Sequence, residues 1–288
     1  MVLIRIMLDK KKLYFRVLFN AQPYLPCMRT NLLIPALLLI MPLLEKTQLF
    51  AQSGWHQMGK TGEWSNTVML RNMNGVFYSL ESDGTMYATT VNGSSSTFQR
   101  INNPGTYAGT TLFAVKDGLI YYVQDGTMYT TDSRGGSWRE LSKGWYNTSA
   151  MAIMGGYIWS LERDGSLYRS DMNGNYELIG VRDAMPDVEF LVAMGSKLYA
   201  LQNGSMYTFN PADETWKFFG QKDDFWDANY LLATRTSLWV LFDTGELYRM
   251  DGTAKGTLAG SGYSGITLLD VMGDAVYAVK NGTLYRTK

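Results

Sequence analysis

A five-residue segment, DGTMY, occurs at residues 83–87 and again, unchanged, at 125–129. Related segments complete a series of six: DGSLY at 164–168, NGSMY at 203–207, TGELY at 244–248 and NGTLY at 281–285. Successive tyrosines of the series lie 42, 39, 39, 41 and 37 residues apart. A period of about 40 residues indicates six copies of one supersecondary unit, whereas a catalytic motif is needed only once.

Each segment begins at the turn of a predicted β-hairpin. An apolar run precedes every turn: VFYSL (76–80), LIYYV (119–123), YIWSL (157–161), KLYAL (197–201), SLWVL (237–241) and AVYAV (275–279). Runs this rich in aromatic and β-branched residues are typical of strands. Because Asp-Gly and Asn-Gly suit the two positive φ angles of a two-residue type I′ turn, we predict that turn for the repeat.

Two further strands complete each predicted unit. An apolar run lies upstream of the hairpin, as in TVMLRN (67–72), and an outer strand with an aromatic residue lies downstream, as in SWREL (137–141). In the fifth unit only TLAG (257–260) is left for the outer strand. Four antiparallel strands in each of six repeats predict a six-bladed β-propeller.

The sixth unit has no outer strand of its own, because LYRTK (284–288) ends the sequence. We predict that GWHQMGK (54–60) supplies this strand, with Trp55 at the place of the aromatic residue. Such pairing closes the ring and leaves no unpaired edge at that point. The predicted fold class is therefore all-β, a six-bladed propeller of four-stranded antiparallel blades over 52–288.

Residues 1–51 lie outside the repeats, and we expect them to be a leader. The apolar segment NLLIPALLLIMPLL (31–44) follows Arg29 and precedes LFA (49–51), the order of a secretory signal peptide cleaved after Ala51. The segment is too short for one membrane-spanning helix and contains two prolines. We therefore expect export to the periplasm, the cell surface or the medium, no membrane span after cleavage, and Met28 as an alternative start.

Composition argues against several functional classes. The leader holds seven of the 26 basic and two of the 26 acidic residues, which leaves 19 and 24 and a net charge of −5 in 52–288. No basic stripe appears, so we expect no nucleic-acid partner. The only cysteine, Cys27, lies in the leader, and the only histidine, His56, lies in the closing strand. A multi-histidine zinc site is thereby excluded, and we expect no cofactor and no catalysis.

The blade pattern resembles the repeats of tachylectin- and tectonin-type lectin propellers. It consists of an apolar residue, Tyr or Trp, a small residue and an apolar one, followed by Asn/Asp-Gly-x-Leu/Met-Tyr. This resemblance covers 52–288 and implies sugar binding between or on top of the blades, without catalysis. TDSRGGSW (131–138) also resembles the Asp-box turn of sialidases, with Ser133 at the place of its aspartate. The catalytic residue set of sialidases cannot be assigned in the sequence.

A large side chain recurs shortly before the innermost strand of each unit. The series is Trp64, Tyr107, Tyr146, Met185, Trp226 and Tyr263, with spacings of 43, 39, 39, 41 and 37 residues. We expect these connections and the hairpin turns on one face, near the central channel. The five aromatic residues of the series, Trp64, Tyr107, Tyr146, Trp226 and Tyr263, are therefore candidate ligand-binding residues. Wedging of these rings between adjacent blades is the competing interpretation.

Three functions stay open at this point. The first is an exported, non-catalytic propeller that binds glycans through its aromatic face. The second is a scaffold for protein–protein interaction in the cell envelope or outside the cell. The third is a degenerate sialidase-like glycosidase. The partner is then a glycan or a protein ligand, and we expect the chain to be a monomer. Isolated aromatic rings beside Asn or Asp favour sugars, whereas one continuous apolar patch favours protein.

Overall fold

A computed structural model describes residues 3–9, 12–18, 55–272 and 275–287. The chain divides into two units, Met1–Leu49 and Phe50–Lys288. In the first unit, strands β1 (Leu3–Asp9) and β2 (Lys12–Leu18) pair antiparallel. The apolar segment of the predicted signal peptide, its cleavage site, Cys27 and Met28 lie outside the described residues, so the predicted leader is not tested. No helix among the described residues is long and apolar enough to span a membrane.

The second unit consists of six four-stranded antiparallel sheets, the blades of a propeller. Blade 1 contains β4 (Thr67–Met73), β5 (Val76–Glu81), β6 (Met86–Asn92) and β7 (Ser95–Ile101). Blade 2 contains β8 (Thr110–Lys116), β9 (Leu119–Gln124), β10 (Thr127–Asp132) and β11 (Trp138–Lys143). Blade 3 contains β12 (Thr148–Met154), β13 (Tyr157–Glu162), β14 (Leu167–Ser170) and β15 (Tyr176–Ile179), preceded by a 3₁₀ turn, Trp145–Asn147.

The remaining blades repeat this order. Blade 4 contains β16 (Val188–Met194), β17 (Lys197–Gln202), β18 (Ser205–Asn210) and β19 (Thr215–Phe218). Blade 5 contains β20 (Ala228–Ala233), β21 (Leu238–Phe242), β22 (Leu247–Met250) and β23 (Thr257–Gly260). Blade 6 contains β24 (Ile266–Met272), β25 (Ala275–Lys280), β26 (Thr283–Thr287) and, as its outer strand, β3 (Trp55–Met58). The predicted six-bladed propeller is confirmed.

The predicted ring closure is also confirmed. Strand β3 pairs antiparallel with β26, with Trp55 opposite Thr287 and Met58 opposite Leu284. The Trp55 ring packs edge-on against Tyr263, with ring centroids 4.4 Å apart. The first strand of the propeller is therefore joined to the last one by backbone hydrogen bonds and by side-chain packing, and blade 6 has no open edge there.

The hydrophobic core lies between the blades. Six clusters of buried side chains occupy the six junctions between neighbouring blades. The second strand of each blade is covered on both faces, so that residues 120–123 of β9 are buried in succession. This explains why the inner strands read as continuous apolar runs rather than as alternating ones.

The hairpin turns differ between alternate blades, which corrects the prediction of one turn type. In blades 2, 4 and 6 the turn has two residues, both at positive φ: Asp125–Gly126, Asn203–Gly204 and Asn281–Gly282. In blades 1, 3 and 5 the turn has three residues, and only the glycine is at positive φ: 82–84, 163–165 and 243–245. This difference explains the β-branched Thr244 before its glycine, because that place in blade 5 needs no positive φ.

The turn between β10 and β11 is held by a carboxylate, but not in the predicted Asp-box position. Asp132 accepts hydrogen bonds from the backbone N–H groups of Arg134 (2.8 Å), Gly136 (3.0 Å) and Ser137 (3.1 Å). These hydrogen bonds, that of Gly136 first, lower the pKa of Asp132 because they stabilise its charged form. Ser133, the expected Asp-box place, has no such role, so the Asp-box resemblance is not confirmed.

Candidate functional site

The connection into each innermost strand carries one large residue in an equivalent backbone position. Its N–H donates a hydrogen bond to the carbonyl of the turn glycine of the preceding blade, at N···O distances of 2.8 to 3.1 Å. The six donors are Trp64, Tyr107, Trp145, Met185, Phe225 and Tyr263, and their acceptors are Gly282, Gly84, Gly126, Gly165, Gly204 and Gly245. All six side chains are at most 5% exposed, and each belongs to a different inter-blade core cluster.

The equivalence predicted from the sequence is therefore wrong at two of six places. We call the buried residue that makes this hydrogen bond the wedge position; in blades 3 and 5 it is occupied by Trp145 and Phe225, not by Tyr146 and Trp226. The error has a physical cause, because counting back from the repeat tyrosine ignores the extra turn residue of these blades. For the other predicted ligand-binding residues, Trp64, Tyr107 and Tyr263, the packing interpretation holds, since burial closes their rings to a ligand.

Tyr146 and Trp226 are different, because both side chains are exposed, by 73% and 63%. Each ring lies over the turn glycine of the preceding blade, Tyr146 over Gly126 and Trp226 over Gly204. A Cβ on Gly126 would lie 2.5 Å from the Tyr146 ring, and one on Gly204 would lie 2.6 Å from Trp226. Both glycines also have positive φ, so no other residue fits beneath these rings.

Cavities occur at corresponding places in blades 1, 3 and 5, beside the three-residue turns. Their volumes are about 490 Å³ in blade 1, 530 Å³ in blade 3 and 360 Å³ in blade 5. The corresponding place in blade 6, around Trp55, Lys280 and Tyr285, encloses only about 10 Å³. The propeller therefore has a three-fold repeat of blade pairs, which the predicted six equivalent units do not include. All three cavities fall within the size range of small-ligand sites.

The extra turn residue shapes the edge of each of these cavities. Its backbone N–H donates a hydrogen bond to a carbonyl of the connection that enters the innermost strand of the same blade. The N···O distance is 2.8 Å in all three blades: Ser82 to Asn66, Arg163 to Asn147 and Asp243 to Asp227. In blades 2 and 4 a glutamine side chain bonds the connection instead, as Gln124 does with the carbonyl of Ala108 at 2.7 Å. The side chain of the extra turn residue itself lines the cavity in blades 1 and 3, as Ser82 and Arg163 do.

The cavities of blades 1 and 3 share a polar framework. Both are lined by an asparagine, a glutamate, an aspartate and a tyrosine: Asn66, Glu81, Asp83 and Tyr87 in blade 1, and Asn147, Glu162, Asp164 and Tyr168 in blade 3. A threonine hydroxyl donates to each glutamate at 2.8 Å, Thr67 to Glu81 and Thr148 to Glu162. Burial nevertheless raises the pKa of both glutamates, since it outweighs the threonine hydrogen bond.

The cavity of blade 5 has a more apolar lining. Phe242 occupies the place of the glutamate, and Tyr248 keeps that of the repeat tyrosine, 5.5 Å away with the rings perpendicular. Met250 and Ala254 extend the apolar wall, and the charged lining residues are Asp224, Asp227 and Glu246. The three equivalent places thus differ in chemistry while the backbone around them is conserved in form.

The innermost strands line a central cavity of about 520 Å³. Its charged lining residues are Arg71, Lys116, Glu189 and Asp270. Asp270, 8% exposed, accepts hydrogen bonds from the backbone N–H groups of Asn72 and Val271. Burial raises the pKa of Asp270 to about 6, while the charge of Arg71 acts in the opposite direction. Because its two oxygens are engaged by backbone donors, this carboxylate joins blade 6 to blade 1 and is not free for chemistry.

No three His, Cys, Asp or Glu side chains are grouped as metal ligands among the described residues. The geometry supplies exposed rings, polar cavities and hydrogen-bonded carboxylates, an arrangement suited to binding.

Comparison with known proteins supports the fold. No protein-family model and no curated protein sequence matches the chain. It is similar to the Pan2 WD40 domain of Neurospora crassa, with a TM-score of 0.56, 13% identity and coverage of 81% of this chain and 94% of that one. It is also similar to PorZ, a bacterial surface component of the type-IX secretion system of Porphyromonas gingivalis. There the TM-score is 0.55 and the identity 9%, over 81% of this chain and 37% of PorZ.

A third similar structure is that of YCF48 bound to D1 peptide, with a TM-score of 0.53, 14% identity and 77% coverage of both chains. Identities this low show the fold alone. The class that the fold defines is a six-bladed β-propeller, here with cavities beside the three-residue turns of blades 1, 3 and 5.

Proposed function

We propose that this chain is an exported, non-catalytic binding propeller that recognises carbohydrate where its connections enter the innermost strands. One observation carries the proposal: two exposed rings each come directly before a polar residue that lines a cavity. Tyr146 precedes Asn147 of the blade 3 cavity, and Trp226 precedes Asp227 of the blade 5 cavity. Isolated rings beside amide and carboxylate groups suit a sugar, whose ring stacks while its hydroxyls form hydrogen bonds.

The expected affinity of one such site is modest. Stacking of a sugar on one exposed ring contributes on the order of 1 kcal/mol, as other aromatic contacts do. Three places of the same form in one ring allow a branched or repeating glycan to contact more than one of them. Because one glycan then occupies several sites, its apparent affinity exceeds the affinity of any single site.

A second candidate is a propeller that binds a protein or peptide. Three similar structures favour this candidate. PorZ is a component of a secretion system, YCF48 was solved bound to D1 peptide, and a third similar structure is that of a Nidogen/Laminin complex. Against it stands the scatter of the exposed apolar side chains over the described surface. Val68 lines the channel, Trp138 and Phe218 lie on outer strands, and Tyr146 and Trp226 lie on connections.

The test is a glycan array probed with the purified protein and with matched tryptophan variants. Trp226→Ala removes a ring beside a cavity, and Trp138→Ala removes an equally exposed ring (63%) from an outer strand. We expect glycan binding by the unmodified protein, weaker binding by Trp226→Ala and Tyr146→Ala, and unchanged binding by Trp138→Ala. Absence of glycan binding, or turnover of a glycoside, would contradict the proposal. If Trp226→Ala and Trp138→Ala lost glycan binding equally, the binding site would not be the one assigned to Trp226.

A further inference from the structure

The cavities of blades 1 and 3 have the same framework but opposite charge. Acidic residues alone supply the charged lining in blade 1, namely Glu63, Glu81 and Asp83. In blade 3 the lining combines two acidic with three basic residues, Glu162, Asp164, Lys143, Arg163 and Arg182. Because the backbone is equivalent, this contrast arises from side chains and not from the fold.

In the blade 3 cavity each carboxylate already accepts a hydrogen bond, whereas two of the three basic side chains have no partner among the described residues; the third, Lys143, is paired with Glu140 at 3.8 Å. Glu162 accepts the Thr148 hydroxyl at 2.8 Å, and Asp164 accepts the backbone N–H of Ser166 at 2.9 Å. The guanidinium groups of Arg163 and Arg182 form no hydrogen bond or ion pair with any described residue, and both side chains are exposed. Two planar forks of N–H donors thus border one cavity without an acceptor from the protein.

Aromatic and polar groups complete the same cavity. The Tyr176 side chain is 60% exposed and stands at 74° to the ring of Tyr168, with centroids 6.1 Å apart. The hydroxyl-bearing Ser160 and the amide of Asn147 belong to the wall as well. The cavity therefore combines an open ring face, neutral hydrogen-bonding groups and unpaired cationic forks within about 530 Å³.

We propose that the blade 3 cavity binds a carboxylate-bearing sugar residue, with Arg163 and Arg182 as the carboxylate-binding residues and Tyr176 as the stacking surface. The proposal rests on the proposed carbohydrate function and adds the charge of the ligand. An arginine fork matches a carboxylate in two parallel N–H···O bonds, which are stronger than neutral hydrogen bonds. The blade 1 cavity, with Ser82 at the place of Arg163, repels such a ligand.

Blade 1 also supplies the design of the variant. Ser82 and Arg163 donate the same backbone hydrogen bond at 2.8 Å, so Arg163→Ser keeps the turn and removes only the fork. Arg182→Ser removes the second fork. Arg134→Ser, in the exposed turn between β10 and β11, removes an arginine that borders neither cavity and serves as the control. Melting curves of all three variants verify that the fold is retained.

The binding experiment uses uronic-acid oligosaccharides, their neutral methyl esters and hexaglutamate as matched probes. We expect the acidic oligosaccharides to bind, Arg163→Ser and Arg182→Ser each to weaken them about tenfold or more, and Arg134→Ser to leave them unchanged. Binding of neutral sugars alone would overturn this inference and leave the proposed function standing. Binding of no sugar would overturn both, and hexaglutamate bound without any sugar would assign the cavity to an acidic protein segment.

Discussion

Odd-numbered and even-numbered blades use the same four strands but different turns. In blade 2 the two-residue turn requires positive φ at Asp125 and Gly126, and Gln124 reaches the entering connection. In blade 1 a third turn residue, Ser82, makes that contact through its backbone. One inserted residue therefore replaces a side-chain contact by a backbone contact and leaves space beside the turn.

The repeat can thus vary the side chains beside its turns while every blade keeps the same fold. The inter-blade hydrogen bond to the turn glycine is kept at all six junctions, whichever turn is present. What changes is the residue that follows the wedge, which is Ala108 in blade 2 but Tyr146 in blade 3. Packing is conserved at the wedge position, and the exposed neighbour is free to serve binding.

The largest expected effect separates the wedge residue from its exposed neighbour in blade 3. Trp145 is 5% exposed, packs in the core between blades 2 and 3, and donates from Nε1 to Ser142 at 3.0 Å. We expect Trp145→Ala to lower the free energy of unfolding by about 3–5 kcal/mol, because it leaves a large cavity. Tyr146→Ala should change it by less than about 1 kcal/mol. Thermal and denaturant unfolding of both variants would measure the difference.

The same pair exists in blade 5 as a replicate. We expect Phe225→Ala to lower the free energy of unfolding much more than Trp226→Ala does, since Phe225 is 2% and Trp226 63% exposed. A larger loss of stability in the Tyr146 or Trp226 variant than in its neighbour would reverse the assignment of wedge and exposed residue.

The blades, the hairpins and the closing strand could be predicted from the sequence, because strand periodicity and turn glycines are local signals repeated six times. The signal for the alternation was also present. Two residues separate the apolar run from the turn Asp-Gly or Thr-Gly in blades 1, 3 and 5 (ES, ER, FD), and one residue does so in blades 2, 4 and 6 (Q, Q, K). Counting them would have placed Trp145 and Phe225 correctly.

Other parts of the site could not be read in this way. Lys143, Arg163 and Arg182 meet at one cavity only because three different segments of blades 2 and 3 converge there. The bond between Asp270 and Asn72 joins residues 198 positions apart. Neither contact has a local signature, since both depend on how neighbouring blades pack against each other.

The second expected effect concerns the junction of blade 6 with blade 1. Asp270 has a folded-state pKa of about 6 against an ordinary value of 3.8, because burial disfavours its charged form. The protonated acid is thus favoured in the folded state, so the contribution of Asp270 to stability is greatest at low pH and is lost as the pH rises from about 4 through 6. The shift corresponds to about 3 kcal/mol.

The measurement is denaturant unfolding of the unmodified protein and of Asp270→Asn between pH 4 and 7. Glu81 and Glu162 also have raised pKa values and contribute a slope of the same sign, which both proteins share. We expect the slope to be smaller in Asp270→Asn. Identical slopes would show that Asp270 does not titrate in this range.

The smallest expected effect converts an odd blade into an even one. Deleting Ser82 shortens the blade 1 turn to the Asp-Gly form of blade 2 and removes the hydrogen bond from Ser82 to the Asn66 carbonyl. We expect a loss of about 1 kcal/mol, the usual net contribution of one hydrogen bond. Combining the deletion with Glu81→Gln should recover part of this loss, because Gln124 at the same place in blade 2 donates to the entering connection at 2.7 Å. Equal stability of the single and double variants would show that the glutamine contact does not substitute for the extra turn residue, and the proposed relation between the two turn types would then be wrong.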